Sequence, residues 1–220
     1  MSREVVLNRV RSALSGSNHE PIAPISGYRL TGILTDEQRV QLFESRLDDY
    51  GARVFHSSRQ NLRENIATTL LEGKKLRMVH PAGVPESWLD DRIFWAADSQ
   101  SAGDGLPYTQ IEGFDGVLTG ATAAVAESGS IVLQHSLTEG RRALTLLPDY
   151  HLCILYEHQI VETLPECFGR LKGSATRPTT FISGPSATAD IEMTRIKGVH
   201  GPRFLDVLLF GSVVPLTSMP

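Results

Sequence analysis

Between Thr35 and His80 the sequence alternates between two kinds of hydrophobic period, and this alternation restricts the fold more than any other feature. Thr35 and Gln38 have the spacing of a capping box, Val40, Phe43, Leu47 and Tyr50 repeat at helical intervals, and Gly51 ends the helix. Arg53 to His56 follows as a short strand. A second helix opens at Ser57 or Ser58, carries Leu62, Ile66 and Leu70 on one side and stops at Gly73. Leu76 to His80 then returns as a strand. Helix, strand, helix, strand is the order of an α/β sheet. His80-Pro81-Ala82-Gly83 falls at the carboxyl end of a strand, where open sheets place ligands.

The flanking segments extend this reading. Residues 2–14 form an amphipathic helix with Val6, Val10 and Leu14 on one stripe, and residues 15–32, rich in Ser, Gly and Pro, form a linker. The expected division is an N-terminal helix and linker over 1–32 and one α/β domain over 33–220. The arm packs either on its own domain or on a neighbouring subunit or partner, which leaves a homo-oligomer open. Trp88 and Trp95 are expected to anchor a helix, and Asp98 to Pro107 a mobile loop. Val117-Leu118-Thr119 is a strand. Ala121–Glu127 and Ser130–Gln134 flank Ser128-Gly129, a two-residue hairpin turn, with Glu127 at its tip. His151 to Tyr156 is a buried strand, Thr163 and Glu166 box a helix running to Leu171, and Phe204 to Phe210 is the last strand.

Composition excludes several classes of function. A net charge of -4 and no basic run interleaved with aromatics leave no field for a nucleic-acid backbone. No apolar run approaches the roughly 18 to 20 residues a bilayer requires, and MSREVVLNRV has no apolar signal core, so a cytoplasmic protein without a membrane span is expected. The 2 cysteines, Cys153 and Cys167, are too few to ligate an iron-sulfur cluster and form no CxxC pair for zinc. His151 and Cys153 share a strand face, but Leu152 to Tyr156 is apolar, so Cys153 reads as a buried structural thiol and no metal site is expected.

The chemistry concentrates late in the chain. Thr179 to Ile182 is an apolar strand, broken by Gly184-Pro185 and followed by a polar mouth: Ser183, Ser186, Thr188, Asp190 and Glu192, then His200 between two glycines. A helical turn beginning after Ser186 would aim free amides at an anion. Upstream, Thr138-Glu139-Gly140-Arg141-Arg142 sets an Arg pair before an apolar run. A forked guanidinium donates two parallel hydrogen bonds to a carboxylate or phosphate, and Arg141 is the preferred anion ligand of the two. No Walker GxxxxGK[ST] and no GxGxxG pattern occurs.

Four ordered blocks carry a resemblance. Thr119 to Val132 (TGATAAVAESGSIV), Glu139 to Tyr150 (EGRRALTLLPDY), Ser183 to Glu192 (SGPSATADIE) and Lys197 to Pro202 (KGVHGP) are together similar to the LUD-domain family. The resemblance implies a three-layer α/β sandwich of the type shared by ribose-phosphate isomerase, glucosamine-phosphate deaminase and the CoA transferases. It also implies a subunit of a system that oxidises L-lactate to pyruvate, with the iron-sulfur clusters on partner proteins rather than on this chain. If lactate binds here, an Arg holds the carboxylate, Ser183, Gly184, Ser186, Thr188 and Glu192 line the site, and His200 or Asp190 accepts the proton. Two alternatives stay open. Ala126-Glu127-Ser128-Gly129 is similar to the glutamate motif of CoA transferases, with Glu127 as nucleophile, although the glycine-rich oxyanion loop of those enzymes is absent. A binder of phosphate ligands through the hydroxyl loop is the other.

Overall fold

A computed structural model describes residues 3–15, 27, 29–99, 105–174, 176–189, 195–197 and 201–211. In chain order the helices and strands are α1 (Arg3–Leu14), α2 (Asp36–Asp49), β1 (Arg53–Ser57), α3 (Leu62–Glu72), β2 (Arg77–Pro81), β3 (Phe94–Asp98), α4 (Tyr108–Glu112) and β4 (Gly116–Thr119). They continue with β5 (Ala123–Val125), β6 (Ser130–Leu133), β7 (Tyr150–Tyr156), β8 (Ile160–Val161), α5 (Leu164–Leu171), β9 (Thr180–Ile182), β10 (Ala187–Ala189), β11 (Arg195–Lys197) and β12 (Phe204–Phe210).

Six strands form one parallel sheet in the order β1-β12-β7-β4-β2-β3. Its central strands are apolar on both faces, as a parallel sheet covered on both sides requires. On one face α3 supplies Leu62, Ile66 and Leu70 against Met78, Leu118, Leu152, Ile154 and Leu208. On the other face α2 brings Phe43 and Leu47 onto Leu155, Val207 and Leu209. That face is shared with a second sheet of four strands, β8-β5-β6-β9, whose Ala124, Ile131 and Ile160 join the same core. The far side of the second sheet carries Ala123, Val125 and Val132 against Cys167 and Leu171 of α5. The expected alternation of helix and strand is met, with the small sheet as an addition.

Local chemistry explains the helix starts. Thr35 accepts from the Gln38 backbone amide while Gln38 reaches back to the Thr35 amide, and Thr163 with Glu166 repeats the arrangement for α5. Three details correct the sequence expectations. The β5-β6 hairpin closes with four residues, 126–129, because Val125 pairs with Ser130 and the amides of Ala126 and Glu127 turn to the carbonyls of Val161 and Glu162. Gly129 sits there at φ +59, where a Cβ would collide with Arg46. Trp88 ends a single 3-10 turn and packs in the core beside α3, whereas Trp95 lies on edge strand β3, its indole N–H donating to the Asp90 carbonyl, so no α-helix carries either of them. Residues 187–189 form β10, paired antiparallel with β11, rather than a helical turn after Ser186. Val6, Val10 and Leu14 of α1 are exposed, and none of its residues is buried.

Buried acids tie the chain together at two places. Asp206 on β12 takes a bidentate pair from Arg53 on β1, at 2.8 and 2.6 Å, and the Tyr150 hydroxyl of β7 at 2.8 Å, so one carboxylate links three adjacent strands. Burial pushes the Tyr150 phenol far up, and the Asp206 charge adds to it. Glu162, at 1% exposure, accepts the amides of Ile33 (2.6 Å) and Leu34 (2.7 Å) and pairs with Arg29, while Glu166 accepts from Gly32 at 2.9 Å. These contacts fasten the entry to the domain.

Burial alone would push the Glu162 carboxyl up, but the two amides and Arg29 outweigh it and the net shift is downward. Its contribution is therefore present above the unfolded value of 4.5 and is lost as pH falls through the lower folded value. Glu162→Ala is expected to cost about 2 kcal/mol, the size of a hydrogen bond to a charged group, because it removes the acceptor of the Ile33 and Leu34 amides. Hydrogen exchange should find the Ile33 and Leu34 amides unprotected in that variant, and in the wild type at low pH.

Candidate functional site

A cleft of about 170 Å³ opens at the amino-terminal edge of the parallel sheet. Its floor is a registered pair, His151 of β7 and Leu205 of β12, each the second residue of its strand. Arg142 and Thr145, from the 3-10 turn Arg142–Thr145, form one wall. Phe181 to Ser186, leaving β9, form the other, and Gly201 and Pro202 close the rim. The segment that follows β9 lines this cleft, as the order of strand, turn and hydroxyls led one to expect, and it lies over the amino edge of the parallel sheet because β9 of the second sheet ends there and the chain re-enters to start β12. His80 does not line the cleft; it is buried, its Nδ1 lies 2.8 Å from the Pro81 carbonyl, and burial lowers its pKa.

The polar wall is held by specific contacts. Ser183 Oγ lies 2.7 Å from Ser130 Oγ, which lies 2.8 Å from Ser128 Oγ, so a line of hydroxyls joins the loop to the hairpin. The Ser186 amide donates to the Pro202 carbonyl at 2.7 Å and zips the two rim segments together. Gly184 stands at φ +85 and faces the end of α2, where a Cβ would collide with Tyr50. Thr188 is placed by its backbone opposite Ile196 in the β10-β11 pair. Asp190, Glu192 and His200, expected as proton acceptors or lining residues, lie outside the described residues.

Arg141, the arginine expected to hold an anion, is engaged elsewhere, and its neighbour Arg142 lines the cleft. Arg141 donates through Nε and Nη2 to the buried Asp98 carboxylate, 2.9 Å each, also reaches the Leu106 carbonyl, and lies over the Tyr108 ring. It is a structural tie and does not line the cleft. Arg142 donates through Nη1 to the Thr145 carbonyl and hydroxyl, 3.0 Å each, and no carboxylate pairs with it among the described residues. An exposed guanidinium held by one nitrogen, with the rest of its fork free beside hydroxyls, suits a carboxylate or phosphate oxygen.

Glu127 stays on the hairpin loop, half-exposed, paired with Arg29 and outside the cleft lining. The Arg29 guanidinium thus neutralises the acid expected as the acyl-transfer nucleophile.

His151 was considered in the sequence only as a partner for Cys153. Its Nε2 lies 2.7 Å from Thr119 Oγ1, and burial, aided by Arg142, lowers its pKa to about 3. Cys153 is buried with its thiol pushed up to about 12 by desolvation, and Cys167 is raised by the same cause, so both are protonated near neutrality. Among the described residues no group of three or more His, Cys, Asp or Glu could hold a metal ion, and no helix is long and apolar enough to cross a membrane.

Comparison with known proteins places this geometry in a family. The LUD domain matches residues 40–210. Lactate utilization protein C of Deinococcus radiodurans is 38% identical over 208 residues, 94% of each chain. The Shouchella clausii protein of the same name is 38% identical over 98 residues, 42% of each chain. A crystal structure of a DUF162 family protein from Deinococcus radiodurans superimposes with a TM-score of 0.70 at 36% identity, covering 81% of this chain and 100% of that one.

The two arginines are separable by mutation. Arg141→Ala is expected to destabilise the fold by about 3 kcal/mol, since it leaves Asp98 charged and unpaired in the interior. Arg142→Ala should stay within about 0.5 kcal/mol of wild type in urea unfolding, as expected of an exposed side chain.

Proposed function

Because the chain belongs to the LUD-domain family, we propose that it is a lactate-utilization protein whose amino-edge cleft binds a small carboxylate, lactate or its oxidation product pyruvate. The observation that carries this is identity along almost the whole length of a relative so named. Three features of the cleft support the ligand class. Its volume of about 170 Å³ suits a molecule of a few heavy atoms rather than a nucleotide. Arg142, with no carboxylate partner among the described residues, presents a cation, and Thr145, Ser183 and Ser186 line the same cleft. The apolar floor at Leu205 has room for a methyl group.

In this reading the chain works beside iron-sulfur proteins that accept the electrons leaving lactate. Its own 2 cysteines, both buried and protonated, support that division of labour, since such clusters need accessible thiolates in sets of four. The exposed stripe of α1 offers a contact for assembly with those partners.

Calorimetric titration of the full chain with L-lactate and with pyruvate tests the reading. Saturable heat is expected, together with a loss of affinity of about tenfold or more in Arg142→Ala, the size of a charge-assisted hydrogen bond. No heat with either acid would overturn small-acid binding. Failure of this chain to restore growth on lactate to a Deinococcus radiodurans strain lacking its lactate utilization protein C would overturn the role itself.

A further inference from the structure

We propose that Thr119 and His151 form a hydrogen-bonded pair that adapts the cleft to either oxidation state of its ligand, accepting a 2-hydroxy acid or the corresponding 2-oxo acid in one geometry. The inference rests on the small-acid reading and gives a role to two residues that reading does not use.

The His151 ring is 1% exposed yet lines the cleft. Nε2 is engaged by Thr119 Oγ1 at 2.7 Å, while Nδ1 has no hydrogen bond from the described residues and is not one of their sealed, unpartnered atoms. Buried polar groups are nearly always satisfied, so a ring nitrogen left open towards a cleft is a place for a ligand atom. Burial keeps the imidazole uncharged, and a neutral imidazole has one donor and one acceptor nitrogen.

Which nitrogen does which depends on Thr119, and a threonine hydroxyl can play either part. When Thr119 donates to Nε2, the proton resides on Nδ1, which then donates to the keto oxygen of a 2-oxo acid. When the hydroxyl turns and accepts from Nε2–H, Nδ1 offers a lone pair to the hydroxyl proton of a 2-hydroxy acid. No heavy atom moves between the two arrangements. Arg142 holds the carboxylate in both, so the ligand's second carbon keeps its place. A charged histidine, or one held by a fixed carbonyl, would favour one oxidation state.

Heteronuclear NMR of labelled histidine in the full chain tests the proposal directly. His151 is expected to carry its proton on Nδ1 in the pyruvate complex and on Nε2 in the lactate complex. Thr119→Val removes the hydroxyl, and a buried N–H tolerates the loss of its partner less well than a lone pair does. The Nδ1–H form is then held, and lactate affinity should fall about tenfold relative to pyruvate. Thr119→Ser should restore the wild-type ratio. The same tautomer in both complexes, or an equal loss for both acids in Thr119→Val, would overturn the pair while leaving small-acid binding intact. Absence of binding by the wild type would overturn both.

Discussion

Burial of β7 and β12 on both faces is the constraint from which the rest of the structure follows. The two strands pair in parallel from Phe204 with Tyr150 to Phe210 with Tyr156, and almost every residue between is inaccessible. Such strands need a helix layer on one side and a second apolar layer on the other, and the chain supplies α3 for the first and α2 with the small sheet for the second. Each fully buried Leu, Ile or Val contributes roughly 1.5–3 kcal/mol, so this pair and its covering layers dominate the apolar stabilisation. Only at the amino ends does the covering thin, and there His151 and Leu205 become the floor of a cleft.

The second sheet turns this opening into a site. β9 pairs with β6, and its exit at Ser183 is joined by hydroxyls to Ser130 on β6, so the polar wall rests on a packed layer. Gly184 lets that wall pass close against the end of α2, and Pro202 ties the opposite rim to Ser186. The Arg142 turn completes the site from the far side, its guanidinium held by Thr145. The side chains around the cleft are thus tied by hydrogen bonds to packed elements behind them.

Much of this was legible in the residues, and the misreadings have specific causes. The caps at Thr35 and Thr163, the strand at His151 to Tyr156 and the break at Gly184-Pro185 are where the patterns put them. Arg141 and Arg142 are chemically identical in sequence; what separates them is Asp98, 43 residues away, which only the pairing of β3 with β2 brings within reach. His151 looked like one member of an apolar strand because Thr119, 32 residues earlier, has no local relation to it. The hairpin loop was read two residues too short because the amides of Ala126 and Glu127 bond to carbonyls at Val161 and Glu162.

The sequence by itself determined most of the elements, the α/β class and the family, since helical and strand periods, capping boxes and turn glycines act between residues a few positions apart. The tertiary structure alone decided which edge of the sheet holds the cleft, which arginine faces it, and that a histidine from a buried strand lies at its floor. Those outcomes depend on strand order and register, which are set by the burial of whole faces across the chain and not by any short run of residues.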